Sequence, residues 1–268
     1  MAYEIIVLDI DGTLTNSQKI ISKPTLEALM TIQKRGHKVV LASGRPTPGI
    51  LPLAEELNLK EYGGFILSYN GAKIINYQTG KTVFQKVLPN DVIPSIYQIA
   101  LEHNLGLMTY EDNQIITGTR IDKYMELESR INNIPIKTVK DFISYVDFDI
   151  NKCLMTGEGE YLAKLELELA KQYAGQLSIY RSEPFFLEFM PKDIDKANSL
   201  KHLLGHLGLS KDQLICCGDG YNDLTMIQYA GKGVAMANAR EAVKQAADYV
   251  TLSNDEDGIA HVIHEFML

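Results

Sequence analysis

Apolar residues along this chain fall into short unbroken runs, each ending at a polar or glycine-containing turn. Ile5-Ile6-Val7-Leu8 stops at Asp9, Val39-Val40-Leu41-Ala42 at Ser43, and Phe65-Ile66-Leu67 at Ser68. Late in the sequence Leu214-Ile215-Cys216-Cys217 stops at Gly218-Asp219, and Val234-Ala235-Met236 precedes Asn238. Runs without alternation are the pattern of strands covered on both faces, and they predict a parallel sheet between layers of helix. The intervening segments supply those helices. Ser22-Lys23-Pro24-Thr25 opens one with a capping serine and an early proline, Leu26, Leu29 and Met30 give it an apolar face, and Gly36 closes it. Alternating strand and helix implies right-handed crossovers and a doubly wound α/β sheet. In such a sheet the carboxyl ends of the strands form one rim, where ligands bind. Asp9, Ser43, Asn70, Asp219 and Asn238 are therefore expected on that rim.

The middle of the chain has another rhythm. Its candidate strands are short or alternating (107–110, 114–117, 152–155), and two longer helical patterns (90–103, 158–173) lie among them. This predicts an α+β module inserted into the parallel-sheet domain, with 1–82 and 188–268 forming the core and 83–187 the insertion.

Composition narrows the partners. Lys and Arg number 26 against 34 Asp and Glu, a formal charge of −8, without the basic stripe that a nucleic-acid backbone requires. No stretch reaches the roughly 18 apolar residues of a membrane span, and Met1 to Asp11 lacks the basic-then-apolar pattern of a leader. Cys153, Cys216 and Cys217 cannot form an even disulfide framework and contain no C-x-x-C, which favours buried thiols in a reducing compartment. A cytoplasmic protein without nucleic-acid or membrane partners is expected, and its oligomeric state is not readable.

The sharpest chemical feature is Asp9-Ile10-Asp11-Gly12-Thr13, leaving the first buried strand. Two carboxylates at i and i+2 in a glycine turn converge and repel unless a cation or a shared proton intervenes. Magnesium suits such a site, because it takes one or two carboxylates and completes its shell with water and phosphate oxygens. A calcium EF-hand fails, since Leu14 and Ile20 stand where that loop needs glycine and glutamate. Asp-x-Asp-Gly alone is also an ordinary turn. A second acidic cluster, Gly218-Asp219-Gly220-Tyr221-Asn222-Asp223, follows another buried strand, and the rim places the two side by side. Asp223 occupies the third-glycine position of a dinucleotide fingerprint, and Gly231-Lys232-Gly233 lacks the Ser or Thr of a phosphate-binding loop. Ser43-Gly44-Arg45 offers a hydroxyl and backbone N–H groups as an anion seat if a helix begins there. Lys196 is a cation near the start of an apparent helix. His202 and His206 share a helix face by spacing, and Asp255-Glu256-Asp257 reads as an electrostatic cap for the last helix.

This ordered set resembles the haloacid dehalogenase-like phosphohydrolases, and within them the Cof-type sugar phosphatases with a large α+β cap. Asp9 to Thr13 is similar to the first motif of that family, Ser43 in Ala42-Ser43-Gly44-Arg45 to the second, Lys196 to the third and Gly218 to Asp223 to the fourth. Ser68 to Ala72 and Phe186 to Pro191 are similar to its sequences at the cap junctions. The resemblance implies a Rossmann-like core with an inserted cap, and a Mg²⁺-dependent phosphatase acting on small phosphate monoesters, sugar phosphates above all, through an aspartyl-phosphate. It implies that Asp9 is the nucleophile and Asp11 the general acid and base. Ser43, Lys196, Asn222 and the N–H groups of Ile10 and Gly44 would hold phosphate. Asp9, the carbonyl of Asp11 and Asp219 would ligate Mg²⁺, and Asp223 would orient Lys196 or the metal's waters. A phosphosugar mutase and a non-catalytic metabolite-binding regulator are the alternatives. One departure stands out: Asp195 and Ala197 flank Lys196 where the family has a small polar residue and glycine.

Overall fold

A strand enclosed on both faces must be apolar throughout, and the first run satisfies this: Ile5, Ile6, Val7 and Leu8 are all fully buried. The computed structural model describes residues 3–268; Met1 and Ala2, the start of the stretch read for a leader, lie outside them. Among the described residues no helix is long and apolar enough to cross a membrane.

Along the chain the strands are β1 (Ile5–Leu8), β2 (Lys38–Ala42), β3 (Phe65–Ser68), β4 (Lys73–Asn76) and β5 (Thr82–Gln85). Then come β6 (Gly106–Glu111), β7 (Gln114–Thr117), β8 (Ile136–Thr138), β9 (Cys153–Thr156), β10 (Leu177–Glu183) and β11 (Phe186–Pro191). The last are β12 (Leu214–Gly218), β13 (Lys232–Ala235) and β14 (Tyr249–Val250). Two compact units result, one running to Phe84 and resuming from Asp195 to Leu268, the other Gln85–Ile194.

The first unit is built on a sheet of order β14-β13-β12-β1-β2-β3-β4-β5. Strands β14 to β3 in that order are parallel, and β4 turns back antiparallel to β3. Successive strands are laid down outward from β1 in opposite directions, so β1 and β12 flank the point where the winding reverses. That is where an open parallel sheet leaves a crevice at its carboxyl edge. The register carries Leu8 opposite both Leu41 and Cys217, and the N–H of Asp9 donates to the Cys217 carbonyl at 3.0 Å. Asp9, Ser43 and Gly218-Asp219 therefore leave three adjacent strands at one level.

The helix expected after Ser22 is Lys23–Lys34. The Ser22 hydroxyl accepts the Thr25 N–H, Pro24 sits in the first turn, and Gly36 follows with φ 98°. Of the acidic run before the last helix, Asp255 accepts the N–H and hydroxyl of Ser17 at 2.7 and 2.6 Å, and Asp257 accepts the Ser22 hydroxyl. Neither carboxylate side chain caps the helix Gly258–Phe266; both pin the loop that follows Asp11. His202 stacks on Phe84 with ring centroids 4.2 Å apart, which occupies it as a packing residue rather than a ligand.

The second unit holds a sheet of order β10-β11-β9-β6-β7-β8, antiparallel except for β7 with β8. Leu107, Ile116, Cys153, Met155, Leu187 and Phe189 pack on one face under the helices Ile93–Glu102 and Gly159–Gln172. Strand β11 belongs to this sheet through its pairing with β9 and β10. The chain accordingly re-enters the first unit at Asp195, later than the junction at 187 read from the sequence.

Candidate active site

Glycine lets the chain leave β1 and fold back on itself. Gly12 has φ +87°, and a β-carbon there would lie 2.5 Å from Asp219 Oδ2, so only glycine admits this approach. The turn is tied by the N–H groups of Leu14 and Thr15, which donate to the carbonyls of Asp9 and Ile10 at 3.2 and 3.0 Å. Thr13 Oγ1 then donates to Asp219 Oδ1 at 2.9 Å, joining the two acidic stretches across the switch point.

Three carboxylates gather here. Asp9, Asp219 and Asp223 each present an oxygen within 4.8 Å of the others. Opposite them stands Lys196, fully buried, whose Nζ donates to Asp9 Oδ1 and Asp223 Oδ1 at 2.6 Å each and to the Ala42 carbonyl at 2.8 Å. Those bonds use all three ammonium protons. Asp223 is held in turn by the N–H groups of Asp219 and Gly220, which donate to its Oδ2 at 3.0 and 2.9 Å. The helix Lys196–Leu207 presents the lysine in its first turn. Asp195 caps that helix by accepting the Asn198 N–H at 2.9 Å, which explains the acidic residue before the lysine.

The electrostatics follow from three anions sharing one cation. Burial, reinforced by Asp223 and opposed by Lys196, pushes the Asp9 carboxyl up to about 8. Burial likewise raises Asp219 to about 6, against the hydrogen bond from Thr13. Desolvation would lower Lys196, but Asp223 and Asp9 outweigh it and hold the ammonium charged. A buried carboxyl group held that far above its ordinary range signals unmet demand for positive charge, which a hard divalent cation on oxygen ligands would satisfy.

Asp11 points elsewhere. Arg45 donates from Nε to its Oδ2 at 2.8 Å and from Nη2 to its Oδ1 at 2.7 Å, a two-point clamp, and Lys19 Nζ adds a third bond at 2.9 Å. Although burial works against it, these bonds hold the Asp11 carboxyl below the ordinary carboxylate range. The Asp11 carboxylate is thus outside the three-carboxylate cluster.

At the end of β2, Ser43 is buried and its Oγ accepts the Arg45 N–H at 3.2 Å, leaving the hydroxyl proton to donate. No helix begins at Ser43 or Gly44. Pro46 is extended, with ψ 154°, and the first helical turn is Thr47–Gly49. An anion seat at Ser43-Gly44-Arg45 would consequently be built on a loop and not on a helix start. The N–H of Ile10 has no acceptor among the described residues. Asn222 Nδ2 donates to Asn70 Oδ1 at 3.2 Å. Asn238 lies on the same rim but donates to the Gly12 carbonyl at 2.8 Å, supporting the turn. The structure thus brings together Asp9, Lys196, Asp219 and Asp223, places Ser43 and Gly44 one strand away on β2's end, and turns the Asp11 carboxylate onto Arg45. Sequence reasoning missed the Arg45 clamp and the Thr13 bond. The signal for the first was a cation two residues beyond Ser43; the second had none beyond Thr13's place after Gly12.

Comparison with known proteins shows the family of the chain. The family described as haloacid dehalogenase-like hydrolase matches residues 6–263. A Bacillus subtilis protein named "Putative phosphatase YxeH" is 35% identical over 267 residues, covering 99% of both chains. The 5-amino-6-(5-phospho-D-ribitylamino)uracil phosphatase YcsE of the same bacterium is 30% identical over 265 residues, 99% of this chain and 96% of that one. A solved haloacid dehalogenase-like hydrolase from Bacteroides thetaiotaomicron is 49% identical, with TM-score 0.95 and coverage of 98% and 99%.

Proposed function

The chain belongs to the haloacid dehalogenase-like hydrolases and is a phosphomonoesterase, and from that premise we propose that it hydrolyses small phosphate monoesters through an aspartyl-phosphate on Asp9. The observation that carries this reading is the convergence of Asp9, Asp219 and Asp223 within 4.8 Å beside a fully buried Lys196. With Oδ1 held by Lys196, Asp9 keeps Oδ2 to attack phosphorus. The phosphorus–oxygen ester bond breaks as the new one forms, and Asp11 gives its proton to the departing alkoxide. A water molecule then attacks the phosphorus, passes a proton to Asp11 and releases phosphate with Asp9 regenerated. To act as an acid, Asp11 must leave the Arg45 clamp, since in this conformation it is an ionised carboxylate.

Ser43 Oγ, Lys196, Asn222 and the N–H groups of Ile10 and Gly44 surround the phosphoryl oxygens in this reading. Their positive ends neutralise charge that a carboxylate nucleophile would otherwise repel. Asp9, Asp219 and the main-chain carbonyl of Asp11 would hold Mg²⁺, which when bound supplies charge neutralisation at the phosphoryl oxygens. Asp223 keeps Lys196 and the backbone of Asp219 in place. The inserted unit is assigned to leaving-group choice. A phosphorylated sugar or sugar alcohol is the substrate class favoured, since YcsE, at 30% identity, is named for a phosphoribityl compound. Three buried free thiols suit work in the reducing cytoplasm.

The test is phosphate release from a panel of sugar, polyol, nucleotide and cofactor monophosphates, with Mg²⁺ and with EDTA. Turnover confined to Mg²⁺ and highest on a sugar or polyol phosphate is expected. Hydrolysis indifferent to EDTA would remove the metal assignment, and isomerised sugar phosphate without released phosphate would point to a mutase.

A further inference from the structure

Asn70 has no part in the chemistry above, yet the phosphate-side stretches of the first unit meet at its turn. Its N–H donates to the Ser43 carbonyl at 2.9 Å, and the N–H of Tyr69 to the Arg45 carbonyl at 3.0 Å. From the opposite side Ser199, in the first turn of the helix that carries Lys196, donates from Oγ to the Gly71 carbonyl at 2.7 Å. Asn70 is 7% exposed. Its Oδ1 accepts Asn222 Nδ2 at 3.2 Å, and a β-carbon at Gly44 would lie 3.1 Å from that same oxygen.

The backbone is unusual in the same place. Tyr69, Asn70 and Gly71 have φ of 53°, 53° and 103°. Asparagine tolerates the left-handed region, but a tyrosine there is an outlier, and such conformations persist where surrounding contacts over-determine them, characteristically at functional sites.

We propose that Asn70 is a positioning residue for phosphate binding: it takes one N–H of the Asn222 carboxamide and thereby aims the other at a phosphoryl oxygen, while spacing Asn222 from the Gly44 loop. An amide nitrogen carries two protons, so fixing one direction fixes the second. The inference rests on the reading that Asn222 meets the phosphoryl group.

The test uses the full-length Mg²⁺ enzyme with p-nitrophenyl phosphate as substrate and inorganic phosphate as competitive inhibitor. Asn70→Gly keeps the left-handed backbone and removes the acceptor. It is expected to stay folded at the assay temperature while raising KM and the phosphate inhibition constant about three- to tenfold, the reach of one neutral hydrogen bond. Asn222→Ala should do the same, and adding Asn70→Gly to it should cost nothing more, because the two act as a unit. Asn70→Asp keeps the acceptor but sets a carboxylate near the anion, and it should weaken inorganic phosphate binding further. The proposal is overturned if Asn70→Gly matches the unsubstituted enzyme, if its loss adds in full to that of Asn222→Ala, or if Asn70→Asp binds phosphate unchanged. An Asn222→Ala enzyme with normal KM and inhibition would instead remove the assignment of Asn222 itself.

Discussion

At Asp9 and Lys196 one carboxylate and one ammonium lie 2.6 Å apart in a pocket where anions outnumber cations, so substitutions at the two have opposite consequences for stability. Asp9→Asn keeps the shape and removes one of three charges. Turnover should fall by roughly a thousandfold or more, the scale on which a covalent nucleophile is missed, while Tm in Mg²⁺-free buffer at pH 8 rises. Lys196→Met strands Asp9 and Asp223 without their cation and should cost about 3–5 kcal/mol. Phosphate release and thermal unfolding of both variants check the pair; a destabilised, still active Asp9→Asn would contradict the charge argument and the nucleophile together. Asp9 stood out in the sequence because it ends a buried apolar run beside a second acidic stretch, whereas Lys196, at the start of a helix, was given a role only by the family resemblance. The cation beside Ser43 was visible in the sequence, but its clamp on Asp11 was not. It depends on how the loop after Ser43 turns through Pro46, and the same sequence permits an arginine facing solvent.

Elements were legible where burial constrains them from both faces. The strands β1, β2, β3 and β12 stand within a residue or two of their apolar runs, because a central parallel strand confines polar residues to its ends. The second unit was less legible. The helix Lys123–Asn132 buries Glu128 and Asn132 beside Met125, a stripe too polar for the hydrophobic period to reveal, and β8 is three residues long with only Ile136 partly buried and apolar. Residues 188–191 fall on the core side of the boundary expected from the sequence, yet they continue β11 of the second unit, because an apolar run carries no label for the sheet it joins. Glycines gave the firmest local information. The turn at Gly12 places backbone against Asp219, so Gly12→Ala must push that carboxylate aside or distort a φ of +87°. Apparent Mg²⁺ affinity should weaken roughly 10- to 100-fold, the usual cost of disturbing a ligand's support. Mg²⁺ titration of activity and of thermal stability checks it; an unchanged half-saturation would mean that Asp219 does not bind the ion in the position proposed.

Across the whole molecule the site is held by contacts between distant parts of the chain: Thr13 with Asp219 spans 206 positions and Lys196 with Asp9 spans 187. Whatever binds there stabilises the fold as a unit, by an amount set by its concentration relative to its dissociation constant. Protons and Mg²⁺ compete for that role. The Asp9 carboxyl stands at about 8 and Asp219 at about 6 in the folded protein, against an ordinary 3.8. Between those values the folded state binds more protons than the unfolded chain, so stability falls as pH rises through the window from about 4 to 8. A divalent cation displaces those protons, and its binding strengthens as they leave. Tm in EDTA should therefore drop from pH 5 to pH 8, and Mg²⁺ should restore more of it at pH 8 than at pH 5. Asp9→Asn, with the most shifted group gone, should show a shallower decline. Thermal unfolding in matched ionic strength decides the matter, and a Tm that climbs toward pH 8 without metal, or a Mg²⁺ effect equal at both pH values, would show that Asp9 and Asp219 do not share the ion.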